Sequence, residues 1–93
     1  MRNNEERTMT KKMKTMITEF KEAIKDWNDP KADKEMKKVY MADRKDLRQI
    51  VSLMMSGKIK EASEKAYWLD TIVRDVIPNS AYDYITNEKN HIK

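Results

Sequence analysis

Sheets and tight hairpins need turn residues at short intervals, and this chain has almost none: one glycine, Gly57, and two prolines, Pro30 and Pro78, in 93 residues. That scarcity selects long helices joined by few connections. Lys, Glu, Met and Ala, all compatible with helix, fill the stretches between these breakers. Apolar residues make up 39% of the chain and recur at helical spacing, which argues for a packed core in spite of an equal share of charged residues.

The spacing predicts a first helix from about Glu5 to Trp27. Asn3 or Asn4 can cap it, and Glu5 and Glu6 suit the positive end of its dipole. Met9, Met13, Met16, Phe20, Ala23 and Trp27 alternate steps of four and three, a heptad seam widened by Ile17 and Ile24. The stretch WNDPKAD breaks it, with Asp29 as cap and Pro30 at the first position of a second helix that runs to about Ser56 and stops at Gly57. The seam of this helix reads Met36, Tyr40, Asp43, Leu47, Ile50, Met54, with an acid in an apolar slot. Either Asp43 caps a fresh helix, or it lies in the seam and meets a cation from another helix.

A third helix is expected from Lys58 to just before Pro78, since a residue preceding proline avoids the helical region. One face carries Ile59, Ala62, Ala66, Leu69, Val73 and Val76, and a second carries Trp68 and Ile72, the pattern of a central helix. Asp70 and Arg74 are spaced to pair on its surface. A short fourth helix follows from Ala81 to about Thr86, capped by Ser80 or Asn79, with Tyr82 and Ile85 on one face and Tyr84 pointing elsewhere. The expected architecture is all-α: a small helical bundle of three long helices plus a short C-terminal helix. It forms one domain over residues 1–93, frayed over 1–4 and 87–93, and pairs as a homodimer through the seam of its first or second helix.

Chemistry-bearing patterns are scarce. The chain has no cysteine, so it has no disulfide and no thiolate metal site. Its single histidine, His91, stands near the end and reads as a solvated tail residue. Asp29 with Asp33 looks like capping, and Asp43 with Asp46 sits among Arg44, Lys45 and Arg48 rather than beside a catalytic partner. One glycine cannot build a phosphate-cradling loop, and no zinc or calcium spacing occurs. The sequence therefore reads as a non-enzyme with no catalytic or metal residue and no cofactor. The polar start MRNNEERT is no secretory signal, and no stretch approaches the roughly 18 apolar residues of a membrane span, so a soluble, cytoplasmic protein without a membrane partner is expected.

Charge is the remaining signal. Residues 1–48 hold 14 Lys and Arg against 10 Asp and Glu, whereas residues 49–93 hold 6 against 6, so the whole net charge of +4 lies in the first half. Opposite the first seam runs the row Arg7, Lys11, Lys14, Thr18, Lys21, Lys25, and opposite the second runs Lys34, Lys38, Met41, Lys45, Arg48; neither row contains an acid. Phosphates bind such rows by electrostatics alone, with weak sequence specificity and a steep salt dependence. No base-reading motif is present. Trp27, Tyr40 and Trp68 could stack on bases, but their places on apolar faces make them core residues first. Met9, Met13, Met16, Met36 and Met54 among the eight methionines fall on inner faces, and Met41 and Met55 less clearly so; methionine there fills irregular space and also suits a foreign partner.

In style the chain resembles the small accessory proteins of large tailed bacteriophages: short, rich in lysine and methionine, poor in glycine, all helical. The likeness is one of genre and transfers no residue. It implies a factor in the host cytoplasm that binds one host molecule, often to blunt a defence system. Two functions follow. In the first, a basic helical dimer binds RNA, or failing that DNA, along its backbone through Arg7, Lys11, Lys14, Lys21, Lys25, Lys34, Lys38, Lys45 and Arg48, and so modulates a host nuclease or toxin. In the second, a Met-rich or aromatic helical surface binds and blocks a host protein, and the lysines serve solubility.

Overall fold

The computed structural model describes residues 10–91. They form α1 (Lys11–Asp26), α2 (Lys34–Met55), α3 (Ile59–Tyr67), the single-turn α4 (Thr71–Arg74) and α5 (Asn79–Thr86), followed by a 3₁₀ turn over Glu88–His91. The chain is all-helical, with no strand among the described residues. None of these helices is long and apolar enough to cross a membrane.

Local side-chain bonds set the helix ends, and several differ from the sequence-based boundaries. α1 starts at Lys11 because Thr10, in extended backbone, accepts the Met13 N–H on its hydroxyl at 3.1 Å. A helix unbroken from Glu5 does not pass through that cap. The remainder of that expectation, with Asn3, Asn4, Arg7 and Met9, lies outside the described residues. α2 is capped by Asp33, whose Oδ1 accepts from the Met36 N–H at 2.9 Å, and not by Asp29. Asp29 instead accepts from the Lys31 N–H at 3.0 Å and closes a turn around Pro30. At the far end Gly57 takes φ 78, its N–H donates to Met54 O, and the Lys58 N–H reaches back to Leu53 O. This is the left-handed stop expected of the lone glycine.

The third helix does not run to Pro78. It stops at Tyr67, and the reason is Arg74. Its Nε donates to Ala66 O at 3.0 Å, and one Nη donates to Tyr67 O at 2.7 Å and Leu69 O at 2.8 Å. Ala66 O also accepts the Leu69 N–H at 3.2 Å in a tightened last turn, and the charged fork of Arg74 completes the bonding of the carbonyls at this helix end. Arg74, expected to pair with Asp70 on one continuous surface, instead locks the corner between α3 and α4.

One apolar cluster holds the helices together. It takes Met13, Met16, Ile17, Phe20 and Ile24 from α1, Leu47, Ile50, Val51 and Met54 from α2, Ile59, Ala62 and Ala66 from α3, and Val73, Ile77, Ala81 and Ile85 from the last part. The seam of α1 is therefore covered within the chain. The seam of α2 is covered only in its second half. Met36, expected to face inward, is 45% exposed, and Val39 beside it is 49% exposed. Trp68 and Ile72, expected on a second buried face of this helix, lie beyond its end at Tyr67 and are 82% and 68% exposed.

Asp43 follows neither of its two expected roles. α2 passes through it unbroken, and its Oδ2 accepts from the indole Nε1 of Trp27 at 3.1 Å rather than meeting a cation. Of the C-terminal residues, those up to His91 are described, and 92–93 of the segment expected to fray lie outside the described residues. Asn90 donates to Tyr84 O at 2.8 Å, and half-buried His91 lies with Nε2 2.6 Å from Ile85 O, so both cap the end of α5. His91 is thus a helix cap and not a solvated tail residue. Tyr84, expected to point away, packs against the core.

Candidate functional site

α1 and α2 form an antiparallel hairpin, and its outer seam is an open groove of about 620 Å³. Lys21 and Lys25 from α1 and Arg44 and Arg48 from α2 stand along it, with Ile24, Val51 and Met55 as an apolar floor. Asn28 and Ser52 complete the lining, which contains no acid. Each cation pair is four residues apart, about 6 Å along its helix, and packed helices lie about 8–10 Å apart. The four Cα positions thus mark a quadrilateral on the scale of one or two phosphates.

Arg44 is the best-positioned of the four. It is half-buried, and one Nη donates to the backbone carbonyl of Trp27 at 2.7 Å, just past the end of α1. A cation there also complements the negative end of the α1 dipole. Trp27 is in turn held by Asp43 through its indole N–H and by the edge of Tyr40, with ring centroids 5.3 Å apart at 69°. The Arg44 side chain therefore starts from a fixed anchor, and a pre-placed guanidinium fork loses less freedom on binding an oxyanion than a lysine does.

α1 sorts its charges by flank. Lys21 and Lys25 line the groove, while Glu19 on the other flank accepts a hydrogen bond from Ser80 of α5 at 3.3 Å. Among the described residues the ion pair is Lys65 with Asp46, at 3.8 Å, and none of the four groove cations has a carboxylate partner. Their charge is left for a ligand or for solvent counterions.

The structure divides the sequence-derived rows. Lys21, Lys25 and Arg48 come together in the groove. Lys11 and Lys14 are exposed further back along α1 and outside the groove lining. Lys34, Lys38 and Lys45 are exposed on the side of α2 opposite buried Leu47, and line no part of the groove. Arg7 lies outside the described residues. Sequence reasoning missed Arg44. The row Arg44, Arg48, Val51, Met55, spaced four, three and four, carries the signal, because it runs along the edge of the seam rather than opposite it.

The remaining candidate acids have structural partners. Asp29 and Asp33 hold turn and cap N–H groups, Asp43 holds Trp27, and Asp46 meets Lys65. No polar or charged side chain is buried among the described residues, and no group of three His, Cys, Asp or Glu side chains among them could hold a metal ion. Comparisons with protein-family models, with curated proteins and with solved structures found no match.

Proposed function

We propose that the protein binds nucleic-acid backbone, RNA in the first place, through the α1–α2 groove. The observation that carries this reading is the convergence of Lys21, Lys25, Arg44 and Arg48 on one acid-free groove without a carboxylate partner among the described residues. Charge of this kind is matched by a polyanion, and the apolar floor gives sugar and base edges a place to rest. Nothing in the groove reads base identity, so binding is weakly sequence-specific. Occupied phosphates are denied to any nuclease acting on the same strand, which is the sense in which such a protein would modulate one.

The test is binding to a mixed-sequence single-stranded RNA and to duplex DNA across a salt series. Four neutralised phosphates on a single strand give a log–log slope of about −3. Lys21→Glu with Lys25→Glu, or Arg44→Ala with Arg48→Ala, should abolish binding at moderate salt, whereas Lys38→Glu with Lys45→Glu should reduce it only slightly. Absence of binding at low salt, or an equal loss in the Lys38/Lys45 variant, would overturn the groove assignment.

A further inference from the structure

The α1–α2 groove holds more than a phosphate track needs. Met55, the last residue of α2, lines it and is 44% exposed. Ile24 and Val51 in the same lining are 2% and 5% exposed. The apolar surface open to a ligand is therefore the Met55 side chain, together with the methylene stems of the lysines and arginines around it. Arg44, Arg48, Val51 and Met55 fall on one stripe of α2, so the thioether stands in line with the two guanidinium groups. The groove also has a direction. Arg44 reaches the end of α1 at Trp27 O, and the two helices run antiparallel from there. Lys25, Arg44 and Arg48 thus stand toward the hairpin turn, and Val51 and Met55 toward the other end, with Lys21 across from them. Met55 follows Arg48 by seven residues, two turns or about 10 Å along the axis. A ligand that fills the groove is anionic along one part and apolar along the other.

A bare phosphodiester chain satisfies only the first part. A duplex satisfies no more, because its bases are paired and stacked, and an A-form helix offers a protein mainly phosphates and 2′-hydroxyls. We infer that the groove is a site for an unpaired nucleotide, whose phosphates meet Lys25, Arg44 and Arg48 and whose base lies on Met55. This rests on the nucleic-acid reading of the groove and narrows it to single strands held by base as well as by backbone. The chemistry of the lining suits a π face: a thioether is polarizable and favours contact with aromatic rings, and arginine stacks on bases. Asn28 and Ser52 are the uncharged polar side chains of the lining, too few to tell four bases apart. The groove therefore distinguishes a base from no base, and not one base from another.

The experiment compares three probes on the full chain at one salt concentration: a mixed-sequence single-stranded RNA, a strand of equal length built from an abasic ribose analogue, and a duplex RNA. The abasic strand carries the same phosphates, so a groove that reads backbone alone binds it equally well. The expected result is that the base-bearing single strand binds about tenfold or more tighter than either of the others, the scale of one base stacked on a side chain. Met55→Ser should remove most of that preference and leave the abasic strand's affinity unchanged, whereas Met55→Leu should keep much of it. Far-UV circular dichroism checks that both variants keep their helices. Equal binding of the base-bearing and abasic strands, a duplex bound as tightly as the single strand, or a Met55→Ser variant that keeps the full preference would overturn the inference and leave the backbone reading standing. Absence of binding by all three probes at low salt overturns both.

Discussion

Met36, Tyr40 and Asp43 on the first half of α2 keep the same four-and-three spacing as Leu47, Ile50 and Met54 on the second half. Leu47, Ile50 and Met54 are 0%, 0% and 1% exposed; Met36 is 45% exposed. The two halves share one helix and one rhythm, and differ in what lies opposite them. α1 ends at Asp26 and α3 ends at Tyr67, so neither flanking helix extends beside Met36 and Val39. Periodicity states which face of a helix can be buried. The length of its neighbours decides how much of that face is.

The largest expected effect tests that difference directly. Leu47→Ala removes a fully enclosed side chain and should cost about 2–5 kcal/mol in chemical denaturation. Met36→Ala, at an equivalent seam position, should stay within about 0.5 kcal/mol at concentrations where the chain is monomeric. Equal losses would mean that the exposed half is packed in solution. A loss at Met36 that grows with protein concentration would sharpen the comparison, because a second copy would then be covering the arm.

The next effect concerns the residue that ends α3. Arg74→Ala leaves the carbonyls of Ala66, Tyr67 and Leu69 without their shared donor. Loss of a charged donor to partly buried acceptors should destabilise the chain by about 1–3 kcal/mol, with Arg74→Lys in between because an ammonium lacks the planar fork. Trp68 would then be presented on a looser corner, and its fluorescence anisotropy should fall. A variant with unchanged stability and anisotropy would show that the corner does not depend on Arg74, and that α3 is short for another reason.

Much of the fold is legible in the sequence where a single residue type has a single physical use. Gly57 had to sit where φ is positive, and the Met13–Met16–Phe20 seam had to be covered. The break after Tyr67 was not legible, because it depends on a side chain seven residues further on reaching back to carbonyls. Trp68 and Ile72 continue an apolar pattern, so their exposure could not be read from spacing either. The groove was half legible. Lys21, Lys25 and Arg48 follow from acid-free rows, whereas Arg44 belongs to a row that becomes visible only once α1 is known to lie beside it. Lys34, Lys38 and Lys45 share the sequence signal of Arg48 but do not line the groove.

The smallest effect lies at the boundary between the two halves. Asp43 occupies a seam position, and a carboxylate there is costly unless it is bonded. The Trp27 indole N–H supplies the bond at 3.1 Å, and the site is only part-buried, so solvent supplies the rest. Asp43→Asn keeps an acceptor for the indole and should change stability by less than about 0.5 kcal/mol. Asp43→Ala removes the acceptor and leaves a partly exposed donor, which should cost about 1 kcal/mol. The same substitution loosens Trp27, whose backbone carbonyl anchors Arg44. A groove that depends on that anchor should then bind RNA more weakly in the Asp43→Ala variant than in Asp43→Asn, although neither residue lines it. Equal binding in the two would mean that Arg44 keeps its position without the Trp27 clamp, and that the boundary of the core is separate from the site it borders.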